Sequence, residues 1–182
     1  MPKATNQKEL IVRTALRLFA KNGYASTPIS LIAKTANVSQ GLMYNFFSSK
    51  EALLKEIMAI GFRDISQSMI PYQKGADPSE AIAAHIRQTI AIVKKNKEVW
   101  TLLHTIRLQE KVALAMRRQF QSVVNGVTST FHQVFKKMKY PKPEMEALLF
   151  LAQVDGLVIL YLQDSETPID QLGEQLIKRY TS

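Results

Sequence analysis

The chain has no cysteine, which excludes disulfides, a thiol redox switch and any zinc site that needs thiolate. Its three histidines, His85, His104 and His132, are too scattered to form a local metal motif, so no metal is expected. There is no glycine-rich phosphate loop, no G-x-S-x-G, no H-E-x-x-H and no E-x-x-H pair of the di-iron bundle type. Neither an enzyme nor a bound cofactor is expected from such a sequence. No window of about eighteen or more uncharged apolar residues occurs, and the start MPKATNQKEL is polar and lacks an apolar leader region. The expectation is a cytoplasmic protein with no membrane partner. Strand signals, internal repeats and low-complexity tracts are absent as well.

What is present is an ordinary globular composition with an uneven charge. The 182 residues are 46% hydrophobic and 21% charged, enough for a core and for one or two small domains. Residues 1–50 hold seven basic side chains, Lys3, Lys8, Arg13, Arg17, Lys21, Lys34 and Lys50, against one acid, Glu9, so six of the nine net positive charges lie in the first quarter. Residues 143–177 carry seven acids and no lysine or arginine. A basic end neutralises phosphate and releases counterions, whereas an acidic end is repelled by it.

Residues 23–53, GYASTPISLIAKTANVSQGLMYNFFSSKEAL, read as two short helices joined by a tight turn and followed by a capped third. Thr27 before Pro28 has the form of a hydroxyl N-cap with proline at the first helical position. Ile29, Ile32, Ala33 and Ala36 share one apolar face, and Asn37 stands where the helix must end in a left-handed residue. Val38 tucks the turn inward, and Ser39 caps a helix that opens Gln40-Gly41-Leu42-Met43-Tyr44. Ser48 and Glu51 form an S-x-x-E capping box for a helix starting near residue 49. The pattern is a helix-turn-helix whose second helix enters the major groove. With Leu42 and Phe46 inward, Gln40 and Met43 point outward to base edges, while Tyr44, Lys50 and the Thr27 cap meet phosphates.

This stretch resembles the DNA-binding domain of the TetR family of bacterial transcriptional regulators. The similarity runs through Ile11, Ala15, Leu18, Phe19, Gly23, Tyr24, Thr27, Ile29, Ile32, Ala33, Ala36, Val38, Ser39, Gly41, Tyr44, Phe47, Lys50, Glu51 and Leu53. It departs at Leu31, where the family usually has an acid, and at Asn37, where it usually has glycine. The resemblance implies an all-α protein with a helix-turn-helix domain at residues 1–50, its linking helix beginning near 49. A helical-bundle ligand-binding and dimerisation domain would follow at 51–182. It also implies a DNA-contacting set of Thr27, Lys34, Ser39, Gln40, Gly41, Met43, Tyr44, Asn45 and Lys50.

Beyond residue 53 every punctuation mark is helical. Asn6 with Glu9 can cap a first helix, Asp77-Pro78 restarts a helix after a break at 71–75, and Tyr140-Pro141 and Thr167-Pro168 separate the last three, for about nine helices in all. Met58, Phe62, Met69, Trp100, His104, Phe120 and Gln153 mix bulky apolar surface with polar tips, the composition of a pocket for a small, largely apolar effector. The helix over 145–162 is apolar around most of its circumference and must be buried on more than one side. Leu149, Ala152, Gly156, Ile159, Leu160, Leu172 and Leu176 are therefore expected between two copies. The expected function is a homodimeric regulator, a repressor by the family's habit, that binds a palindromic operator and releases it to a small molecule. A ligand-independent DNA-binding regulator and a helical protein-interaction module are the alternatives.

Overall fold

A computed structural model describes residues 4–68, 77–107 and 110–181, and these form nine helices and no strand. They are α1 (Ala4–Asn22), α2 (Ile29–Thr35), α3 (Gln40–Phe46), α4 (Lys50–Ser68), α5 (Pro78–Lys95), α6 (Lys97–Arg107), α7 (Glu110–Lys137), α8 (Pro143–Gln163) and α9 (Ile169–Thr181). Met69 and the expected break at 71–75 lie outside the described residues.

Two compact units divide the chain, one of residues 1–62 and 98–116, the other of 63–97 and 117–182. The expected boundary at residue 50 falls inside the first unit, because α6 packs on α4. The crossing is close at Gly61, where a Cβ would lie 2.6 Å from Leu103 Cδ1 and 3.0 Å from Val99 Cγ1. Ile11, Ala15, Phe19, Leu53 and Ile57 are buried in the same unit. In the second unit α5, α7, α8 and α9 enclose an aromatic core. Phe131 and Phe150 have ring centroids 4.6 Å apart, Phe135 packs on Tyr180 at 5.5 Å, and His85 stacks obliquely on Phe131 at 4.7 Å. Arg87 donates two hydrogen bonds to Glu174 and Lys94 one to Asp170, tying α5 to α9 across the surface.

Helix ends follow local chemistry more finely than the sequence pattern suggested. Asp77 caps α5 as expected, accepting from Ser79 N at 2.7 Å with Pro78 in the first turn. The start of α1 differs, since Asn6 lies within the helix instead of capping it, and Glu9 pairs with Arg13 at 2.6 Å. Helix α7 ends in a left-handed Lys139, φ 60°. Lys139 N–H bonds Lys136 O, Tyr140 N–H bonds Phe135 O, and the Tyr140 and Phe135 rings meet edge to face at 5.1 Å. This is a Schellman ending with its accompanying apolar contact. Helix α8 is long and apolar enough to cross a membrane by length and composition alone, with a mean hydropathy of 1.8, although only 22% of that window is buried. Its acids Glu144, Glu146 and Asp155 are what interrupt the uncharged run in the sequence.

The helical glycines supply a test of this packing. Overpacking Gly61 costs about 1–3 kcal/mol, more than the roughly 1 kcal/mol of helix propensity regained, so Gly61→Ala is expected to lower stability. Gly126 in α7 has nothing within 4 Å of a Cβ, and Gly126→Ala is expected to gain about 0.5–1 kcal/mol. Urea unfolding of both variants reads the opposite signs, and a stabilised Gly61→Ala would contradict the α4–α6 crossing.

Candidate nucleic-acid interface

The turn between α2 and α3 is built by backbone hydrogen bonds. Asn37 adopts φ 53°, a conformation that asparagine tolerates better than most residues. Its N–H donates to Lys34 O at 3.2 Å, and Val38 N–H donates to Ala33 O at 3.0 Å, which satisfies two of the carbonyls left over at the end of α2. Two residues on, Ser39 Oγ accepts from Leu42 N at 3.1 Å and caps α3. The turn and the second cap are therefore as the sequence predicts.

The first cap is not. Helix α2 starts at Ile29 with Pro28 as its N-cap and no side-chain cap. Thr27 is completely buried, and its hydroxyl donates to Gly23 O at 2.8 Å, with Leu18 O at 3.3 Å. Its job is to close the α1–α2 corner, and a buried, committed hydroxyl has no access to a phosphate. The α4 cap is also displaced by one residue, since Ser49 and not Ser48 accepts from Ala52 N, at 3.1 Å.

On α3 the buried side chains are Met43, 1% exposed, and, just past the helix end, Phe47, 6% exposed. Leu42 and Phe46 are half-buried. The inward face is thus centred one residue later than expected, a rotation of about 100° on a helix of 3.6 residues per turn. Met43 is removed by this from the base-contacting set. Gln40, Gly41, Tyr44 and Asn45 form the exposed face, with Ser39 exposed before them and Lys34 exposed on α2.

Lys50 occupies a junction. Its ammonium lies 4.3 Å from the Tyr24 ring centroid and 5.7 Å from that of Phe19, and it donates to Ala25 O at 3.4 Å. Burial pulls its pKa down from the ordinary lysine value, with the Glu51 charge opposing. Tyr24 donates to Glu51 Oε1 at 3.3 Å. Burial first, then the Glu51 charge and hydrogen bond, push the Tyr24 hydroxyl up to about 12. Glu51 is held below its ordinary value chiefly by its own backbone N–H and the Ser49 hydroxyl. Of the other basic residues, Lys8 pairs with Glu56 at 2.9 Å and Arg13 with Glu9.

The residues expected around a pocket fall in both units. Met58, Phe62, Trp100 and His104 belong to the first, and Phe120 and Gln153 to the second. Met58 is fully buried, Phe62 and His104 are half-buried, and the Trp100 and His104 rings are 6.4 Å apart. Trp100 is 7% exposed, yet its Nε1 has no hydrogen-bond partner among the described residues. Gln153 differs from expectation, because it stands on the exposed side of α8 and lines a groove of about 470 Å³ with Gly156, Leu160, Leu172 and Leu176. The sequence reading passed over Thr89, 4% exposed with an unpartnered Oγ1 among the described residues. The signal available was a threonine one turn after His85 on the apolar side of α5.

Of the residues expected between two copies, those on α8 form an apolar surface, whereas Leu172 is half-buried and Leu176, 6% exposed, is packed into the core of its own unit because α9 turns that stripe toward α5 and α8. Met145, Leu148, Leu149 and Leu160 are each at least half exposed, Ile159 is 37% exposed, and Ala152 and Gly156 lie between them.

Comparison with known proteins places these features in a family. The sequence model described as "Bacterial regulatory proteins, tetR family" matches residues 11–57. The chain is 48% identical over 161 residues to YuxN of Bacillus subtilis (strain 168), an uncharacterized HTH-type transcriptional regulator, covering 86% of this chain and 54% of that protein. It therefore spans about half of that relative's length. Among solved structures, a putative fatty acid metabolism regulator of Clostridium perfringens superposes with a TM-score of 0.78 at 16% identity, covering 92% of this chain and 94% of the other. AibR in complex with isovaleryl coenzyme A and operator DNA superposes with a TM-score of 0.73 at 22% identity, covering 94% and 96%. At these identities the superpositions speak for the fold alone, and the relatives and neighbours are regulators, not enzymes. With its helix-turn-helix built as described, the chain belongs to the TetR family of bacterial transcriptional regulators.

Proposed function

We propose that the protein is a homodimeric repressor that grips a palindromic operator and lets go when a small, largely apolar effector binds. The observation that carries this reading is the exposed face of α3, on which Gln40, Gly41, Tyr44 and Asn45 stand together while Met43 and Phe47 hold the helix from behind. Gln40 and Asn45 carry side-chain amides, which pair bidentately with adenine N6 and N7. The Tyr44 hydroxyl, the Lys34 ammonium and the O–H of Ser39, whose oxygen already accepts from Leu42 N, serve phosphates. Lys50 belongs to the phosphate set only through the N–H groups that Ala25 does not take.

A palindrome needs two readers about 34–36 Å apart, and the exposed apolar face of α8 suits a second copy of this chain. The groove at Gly156 leaves room for a partner's side chain, since nothing stands within 4 Å of a Cβ there. Support for an effector comes from an orphaned polar atom of the first unit, Trp100 Nε1, which has no hydrogen-bond partner among the described residues. A buried polar group left unpaired costs about 1–3 kcal/mol, and an apolar molecule with one polar end is the kind of ligand that relieves such a cost. AibR's complex with isovaleryl coenzyme A and the fatty-acid title of the Clostridium regulator make short acyl chains and their thioesters the class to test first. A regulator of this kind works in the cytoplasm.

On DNA, Gln40→Ala is expected to relax preference at one base pair by about 1–3 kcal/mol with an unchanged salt slope, whereas Lys34→Ala weakens every duplex alike and lowers the slope by about one. Salt titrations on specific and unrelated duplexes separate the two, and a Lys34→Ala slope equal to wild type removes that residue from the phosphate set. For the dimer, Leu149→Glu with Leu160→Glu changes only exposed positions, so sedimentation should report folded monomers that no longer hold a palindrome tightly. A variant that stays dimeric rules this face out. For the effector, isovaleryl and longer acyl coenzyme A thioesters are titrated against free and operator-bound protein by Trp100 fluorescence. Linkage requires operator DNA to weaken an inducer by the factor with which the inducer weakens DNA, typically about 5- to 150-fold. Equal affinities in both titrations mean that the compound is not an inducer.

A further inference from the structure

Five glycines stand inside helices among the described residues, and the chain itself accounts for only some of them. A Cβ on Gly61 would crowd Leu103 and Val99, and one on Gly173 would crowd Ile90 and Ile86, so both stand where helices cross closely. Gly156 lies on the apolar face of α8 assigned above to a second copy, and nothing in the structure explains Gly126. Gly41 is the informative case. Its φ is not in the left-handed region, and a Cβ would meet nothing nearer than Ser39 Oγ at 3.9 Å. Glycine is the worst helix former after proline, and α3 has only seven residues over which to absorb the penalty. No contact within the chain requires glycine there. The position is exposed, bounded on the same face by Gln40, Tyr44 and Asn45.

We propose that Gly41 is the point of closest approach between α3 and the floor of the major groove, and that the space of its missing side chain is filled by the C5-methyl of a thymine. This rests on the DNA-reading function argued above and makes it more specific. Glycine offers no side-chain donor or acceptor, so a contact made through its bare Cα is best met by an apolar group on the base edge, and the thymine methyl is the apolar group that bases present in the major groove. The neighbouring side chain leads to the same pair. A glutamine amide suits adenine N6 and N7, and the thymine paired with that adenine places its methyl in the same groove beside it. Gln40 and Gly41 then read the two halves of one A·T pair, one by hydrogen bonds and the other by fit. A larger residue at position 41 would hold the helix away from the groove and lengthen the Gln40 bonds as well.

The test uses the full chain and a palindromic duplex selected by the wild-type protein from a random-sequence library. Because the added methyl has open space, Gly41→Ala should fold and melt about 2–4 °C higher. Its affinity for the selected duplex should fall roughly tenfold or more, while its affinity for unrelated duplex and its salt slope stay as in wild type. Deoxyuridine in place of one thymine in each half-site removes the methyl and keeps the pairing. At one position that exchange should return Gly41→Ala to within about threefold of wild type on the original duplex. An affinity of Gly41→Ala within about twofold of wild type overturns the close approach. An equal loss on unrelated duplex places the contact on sugar and phosphate and overturns the base-edge assignment, and rescue at no thymine overturns the methyl. If the wild-type chain selects no duplex at all, the DNA-reading function itself falls, and this inference falls with it.

Discussion

A helix of seven residues has no stability of its own in water, so whatever α3 does depends on how it is held. Most of its backbone groups are terminal and lack partners within the helix. Ser39 satisfies one N–H at its start, and Phe47 N–H returns to Met43 O at its end. The larger share comes from side chains, since full burial of a residue such as Met43 is worth about 1.5–3 kcal/mol. Met43 thereby sets the rotation of the helix about its axis. With only two turns available, fixing one inward residue fixes which four face out. The face on which Gln40 and Asn45 stand is in this sense decided by a methionine that is almost wholly buried.

The junction of Tyr24, Lys50 and Glu51 extends the same logic to α4. Ser49 caps that helix, Glu51 accepts from Tyr24, and the Lys50 ammonium lies on the Tyr24 ring. The last two contacts fix the start of α4 to the α1–α2 corner. Farther along the same helix, Gly61 lets α6 approach so closely that Leu103 and Val99 fill the space of a side chain. Helices far apart in sequence therefore belong to one compact unit with the DNA reader. A ligand that shifts α6 acts on a unit that contains the recognition helix, which gives the proposed release a short physical route.

Much of this was legible in the sequence, and the failures have a common cause. Caps and turns read well where one residue type answers one geometric need, as with Asn37 at positive φ, Ser39 before α3 and Asp77 before Pro78. Thr27 misled because a threonine before proline has the form of a cap, and only the packed structure shows its hydroxyl spent on Gly23 and Leu18 carbonyls. Met43 misled because Leu42, Met43, Phe46 and Phe47 are all apolar. In so short a helix, spacing cannot decide whether the inward stripe is centred on 42 and 46 or on 43 and 47. The domain boundary was placed by chain order, whereas α6 is sorted by packing. Gln153 was misplaced and Thr89 passed over for the same reason. Polar residues on largely apolar helices, they end on opposite sides of the burial line, and composition alone does not say which.

Helix α8 brings these strands together, because its apolarity admits two explanations that ask different things of its buried face. Length and hydropathy alone would suit a membrane. Yet Ala147, Phe150, Val154 and Val158, at three- and four-residue steps, are committed to the helix's own unit, where Phe150 meets Phe131, Phe135 and Tyr180. Moving α8 into lipid would take Phe150 out of that cluster and expose aromatic surface that lipid does not cover. Glu146 would lose its hydrogen bond from Tyr180, and Asp155 would be carried to mid-bilayer at a cost of several kcal/mol, about 2.5–3.5 by insertion scales. The opposite face, from Met145 to Leu160, is apolar without being needed by that core. A helix with one face already spent and the other still apolar is what the proposed pairing with a second copy requires, the two-fold symmetry of a palindromic site being matched by the same surface on both copies.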